Sequence, residues 1–258
     1  MPNIIQPTGG FGADGVSPVR TRRRIRVRAT VLSAARRGGG GVVVGEDGGM
    51  DSQTVERTRR ALHAVAEMLL AGPQYRTSGT IRLQACPGGF ATRSEPQLRV
   101  VGAELLAAGR CLPLERTTCA ELAAELGVAV GAPVGLYQDG SGVGGEEVIE
   151  ADPAAAEWLA RCFAIGDAAL RVTFPDADPV IWPEHFDVAV TVDSANYGVS
   201  PGDGFQSEPY AYVGPHDKQH GEFWNAPFGA ARTIRDLGGA GAVANFFDHG
   251  RQLLRGNG

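Results

Sequence analysis

Lysine is almost absent: Lys218 is the only one in 258 residues, so arginine carries nearly all the positive charge. Cysteine is scarce too. Cys86, Cys111, Cys119 and Cys162 form no C-x-x-C pair and match no zinc or disulfide spacing, which leaves reduced, buried thiols as the expectation. Cys119 stands near the start of an expected helix, where a thiolate could be stabilised, but no histidine lies near it in sequence to activate it. No uninterrupted apolar run reaches membrane-spanning length. No cationic start leads into an apolar segment and a small-residue cleavage site, so secretion is not expected and a cytoplasmic location is. The H-E-x-x-H and G-x-S-x-G signatures are missing, which removes the simplest zinc-peptidase and serine-hydrolase readings.

Charge is present but uneven. The chain carries a net −5, while residues 1–49 hold eight arginines against Asp14, Glu46 and Asp47, a net of 8 − 3 = +5. The remainder therefore carries −5 − 5 = −10 and is a poor match for nucleic acid phosphates. The arginines cluster between Arg20 and Arg28 and could form a basic arm. Eleven of the 37 glycines share this stretch, however, and such sequence cannot bury enough apolar area to offset chain entropy. A disordered leader over 1–49 is the reading adopted. Met50, directly before the first well-patterned segment, would serve as a natural start.

From there periodicity takes over. Residues 51–72 place Val55, Leu62, Val65, Ala66 and Leu69 on one helical face, capped by Asp51 or Ser52 and closed at Gly72–Pro73. His63 sits beside that stripe as a boundary residue. Strands are expected around Ile81–Gln84 and within 97–109. A short helix follows with capping-box spacing from Thr118 to Glu121. Asp152 and Pro153 open the best helix in the chain, and residues 241–256 read as a closing one. Strands fall at 185–193 and 209–213. This order does not alternate β and α units. It predicts an α+β domain over 50–258, a mainly antiparallel sheet packed by about four helices. No repeat of fixed period is visible.

Half of the eighteen aromatics lie between Trp182 and Phe228. The same region holds long Gly-, Pro- and Asn-rich loops, and long loops in compact domains are often functional. Within IWPEHFDVAVTVD, strand alternation puts Phe186 and the valines on one face and His185 with Asp187 on the other. Glu184, His185 and Asp187 are thus the candidate acid–base groups, since a carboxylate orients an imidazole and raises its pKa. His216, His220 and Glu222 are the candidate metal ligands, although flanking glycine and proline argue against the helix that would align the two rings. Trp182, Tyr197, Asp203, Tyr210, Tyr212, Trp224 and Asn225 are the candidate ligand-binding residues. The rings of Tyr210, Tyr212 and Trp224 could stack on a flat or sugar-like molecule.

The stretches WPEHFDVAV, NYGVSPGD, PYAYVGP and FWNAPFGAAR resemble a group of uncharacterised actinobacterial proteins, from about Met50 to the C-terminus. The element order also resembles bacterial families of unknown function with a Trp-x-x-Phe-Asp-Leu-Ala strand. Here the segment from Trp182 to Ala189 has extra residues between tryptophan and phenylalanine. The resemblance brings no assigned activity and therefore no catalytic residues. Two expectations stand together: a module binding a small ligand or partner through 182–228, or a hydrolytic or proton-transferring enzyme using His185 and Asp187, with or without a metal. No cofactor or oligomeric state follows from the residues. Neither nucleic acid nor membrane is expected as a partner.

Overall fold

The computed structural model describes residues 51–137 and 140–256; the expected leader, 1–49, lies outside them. Asp51 caps helix α1 (Ser52–Val65), its carboxylate accepting from the Gln53 and Thr54 amides. The helix does not stop at Gly72–Pro73 as expected. It passes through a π-helical segment, Ala66–Ala71, into α2 (Gly72–Ser78) and ends at Gly79 with φ 71°. A proline in an α-turn lacks one donor and crowds the carbonyl four residues back; the wider π turns absorb that mismatch.

Among the described residues ten strands form one antiparallel sheet. The first five are β1 (Leu83–Cys86), β2 (Gly89–Thr92), β3 (Leu98–Val101), β4 (Glu104–Ala107) and β5 (Arg110–Pro113). After α3 (Cys119–Leu126) and α4 (Pro153–Thr173) come β6 (Val180–Trp182), β7 (Asp187–Val192), β8 (Ala195–Ser200), β9 (Tyr210–Pro215) and β10 (Ala230–Thr233). The single turn α5 (Ile234–Leu237) and the long α6 (Ala240–Gly256) close the chain. The expected Thr118–Glu121 capping box opens α3, and Asp152 caps α4 through the Ala155 amide. The α+β expectation is met.

Spatial order is β10-β9-β8-β7-β6-β1-β2-β3-β4-β5. Each meander runs outward from the middle, and the two join where Leu83 faces Ile181. A helix, five meandering strands and a helix therefore occur twice. The repeat is one of topology, which is why no sequence period reveals it. Helix α4 packs on β1 and β2 as well as β7 and β8, and α6 packs on β9. Close approach there needs small residues. A Cβ on Gly166 of α4 would lie 2.6 Å from Val188, and one on Gly250 of α6 would lie 2.9 Å from Val213. That face of β7–β9 buries Val188, Val190, Tyr197, Val199, Ala211 and Val213 in one core. Alternation sends Asp187, Ala189, Gly198, Ser200, Tyr210 and Tyr212 to the opposite face. Among the described residues no helix is long and apolar enough to cross a membrane.

A candidate binding cleft around Asp187

The segment from Trp182 to Asp187 departs from the expected strand. Residues 183–186 form a turn between β6 and β7, with Phe186 at φ 53°. A left-handed residue breaks alternation, so His185 does not share a pleat with Asp187, and the pairing predicted from the pattern fails at the backbone. Phe186 holds this conformation because its ring is fixed on all sides. It stacks on His63 at 5.3 Å and meets Phe90 and Phe163 edge-on. The His63 Nε2 donates to the Pro183 carbonyl at 2.6 Å, tying α1 to the turn. Burial pushes the His63 pKa down, so it performs this task as a neutral ring.

This turn, α1 and the β8–β9 loop enclose a cleft of about 670 Å³ lined by Arg59, Arg60, His63, Glu184, His185, Asp187, Ser200, Asp203, Tyr210 and Tyr212 among others. Asp187 lies at its base, only 5% exposed. The Tyr212 hydroxyl donates to Oδ2, while Oδ1 is buried and has no hydrogen-bond partner among the described residues. Burial raises the Asp187 pKa to about 6, against the lowering effects of the Tyr212 hydrogen bond, the neighbouring His185 and its own nearby backbone amide. Burial and the facing carboxylate likewise push the Tyr212 hydroxyl far up, so it stays a donor. The arrangement depends on Gly198, which faces Tyr212 across the ladder: a Cβ there would lie 2.7 Å from the ring.

The loop after β8 is ordered by Asp203. Its Oδ1 accepts from the Phe205 and Gln206 amides, and its Oδ2 accepts from the Tyr210 hydroxyl at 2.5 Å. Arg59 donates to the Gly202 carbonyl at 2.7 Å, and Arg60 pairs with Glu147 at 3.0 Å. Phe205, Phe228 and Tyr210 form an aromatic wall with centroids 5.0–6.3 Å apart; Phe205 is 49% and Phe228 37% exposed.

Of the candidate residues, Glu184, His185, Asp187, Asp203, Tyr210 and Tyr212 share this cleft. His185 is exposed and approaches Glu184 at 3.6 Å. Trp182 is under the Arg82 guanidinium at 5.7 Å, outside the cleft lining. Tyr197 is core, 4.6 Å from Phe174, because its strand position faces the helices. Trp224 lines a different cleft beside α6, as do His220 and Glu222. Asn225 spends its amide on the Ala231 N–H and carbonyl, at 3.0 and 3.2 Å. His216, His220 and Glu222 are exposed, and no three His, Cys, Asp or Glu side chains converge on a metal position among the described residues. Cys119 is buried at the start of α3, which pushes its thiol up to about 12, opposite to the stabilised thiolate that a helix start suggests.

Arg59, Arg60 and Ser200 were not among the candidate site residues, and His63 was read only as a boundary residue. Arg59 and His63 are four apart on α1, a polar line bordering the apolar stripe, and that spacing was the available signal. No family model matches the chain, nor does any curated protein or solved structure.

Proposed function

We propose that the protein binds a small molecule in the cleft between α1, the 183–186 turn and the β8–β9 loop, with Asp187 as the anchor. The observation that carries this reading is the buried Oδ1 without a partner. Buried polar groups are almost always hydrogen-bonded, and a vacant acceptor at the base of a cleft is what a donor on a ligand would fill. The anchor is preorganised, since Tyr212 fixes the carboxylate and Gly198 makes room for Tyr212. The four free cysteines support a reducing, cytoplasmic setting.

A fragment screen read by amide chemical shifts tests the proposal. Binders should perturb the amides of 184–187, Ser200, Gly202, Asp203 and 210–212 together, and Asp187→Asn should weaken them at least tenfold. Hits that map only to the cleft beside Trp224, or that bind the variant equally well, would refute it.

A second reading rests on the same residue. A carboxylate whose pKa burial raises to about 6, held by a tyrosine and opening on a cleft, suits a proton-transfer base, with His185 and Glu184 in the same lining. In that case a turnover assay on any identified ligand should lose activity with Asp187→Asn and keep binding.

A further inference from the structure

Resting on the binding reading, we propose that the ligand is an organic cation, a protonated amine or amidine carried on an aryl or alkyl body. Three independent features select this class.

The first is the anchor. An ionised carboxylate only accepts, and one of its oxygens is already taken by Tyr212. A neutral hydroxyl would satisfy Oδ1 but leave the buried charge uncompensated; an ammonium does both.

The second is the charge around it. Glu184 and Asp203 line the same cleft as Asp187. Of its two guanidinium groups, Arg60 is paired with Glu147, while Arg59 donates to the Gly202 carbonyl, lies 4.0 Å from Glu56 and keeps a buried Nε without a partner among the described residues. The three carboxylates of the lining, Glu184, Asp187 and Asp203, outnumber Arg59, the lining guanidinium that is not paired with a close carboxylate, so the cleft favours a cation over an anion.

The third is the wall. Phe205 and Phe228 meet edge to face at 5.0 Å and leave much of their surface open to the cleft. A half-exposed aromatic pair beside Tyr210 offers apolar cover to a ligand body and ring faces to a cation.

The test uses three probes of one shape: benzylammonium, benzyl alcohol and benzoate, titrated into the full chain at pH 7.5 by calorimetry and saturation-transfer NMR. Benzylammonium should bind, benzyl alcohol at least tenfold more weakly, and benzoate not at all. Asp187→Asn should abolish the preference for the ammonium. Phe205→Ala, at a half-exposed position outside the buried core, should weaken benzylammonium severalfold while the melting point shifts little. Benzyl alcohol or benzoate binding as tightly as benzylammonium, at shifts mapping to the cleft, would overturn the cation assignment while the binding reading stands. Absence of binding by all three would also overturn it, and the fragment screen would then judge the cleft separately.

Discussion

Asp187 is expensive for the fold to keep. Its pKa rises from 3.8 in a free chain to about 6 in the native state because burial disfavours the anion. Below both values each state is protonated and no penalty exists. As pH rises between them the unfolded chain ionises first, so the native state loses stability, and above about 6 the full penalty remains. At about 1.4 kcal/mol per pKa unit this amounts to about 2–3 kcal/mol. Asp187→Asn keeps an acceptor for Tyr212 and removes the charge. Chemical unfolding should show the variant at least as stable as the wild type at pH 7.5, with the gain vanishing near pH 4. A variant weaker at pH 7.5 than at pH 4, relative to wild type, would contradict this account. Asp187, Tyr210 and Tyr212 were legible in the sequence because a polar residue in a valine-rich strand and an i, i+2 tyrosine pair mark one face; Asp203 stands in the Gly- and Pro-rich loop that the composition marks. Tyr197 and Asn225 were not, since composition cannot say which face of β8 meets a helix or which amide closes a strand.

Two local structures position the site, and they differ in how well the sequence announces them. Strand β7 is plain from its valines, but its start is not. The alternating pattern put its beginning at residue 185, whereas the chain turns over 183–186 and uses Phe186 in the left-handed region, held there by rings from α1, β2 and α4. Only tertiary packing can stabilise that conformation in a phenylalanine, so no local pattern predicts it. The π segment is similar: Gly72–Pro73 reads as a stop, and burial of both neighbouring turns carries the helix through. Strand β8 supplies the clearest test at this scale. Gly198→Ala should force the Tyr212 ring off its seat and cost about 1–3 kcal/mol, as overpacking usually does. In a Tyr212→Ala background the same substitution should cost almost nothing. An equal cost in both backgrounds would show that strand propensity, not the ring, makes the glycine necessary.

Taken whole, the two topological halves interlock. Helix α4 opens the second half yet packs on β1 and β2 of the first, while His63 on α1 fixes a turn of the second. One core runs through both. Unfolding should therefore be a single transition. All three tryptophans, Trp158, Trp182 and Trp224, belong to the second half, so fluorescence follows that half and far-UV circular dichroism the whole chain. The two curves should coincide in denaturant; a fluorescence change that separates from the dichroism would show halves that melt independently. The α+β class was readable from the order of periodic segments, but a ten-strand sheet was not, because pairing between β1 and β6 is a long-range contact across nearly a hundred residues of chain. Among the described residues the open sheet ends in two outer strands, β10 and β5, and an outer strand can recruit a foreign one. On the β10 side Asn225 resolves this cheaply: its amide imitates one peptide unit, so the backbone of Ala231 already has the neighbour that an intruding chain would otherwise provide.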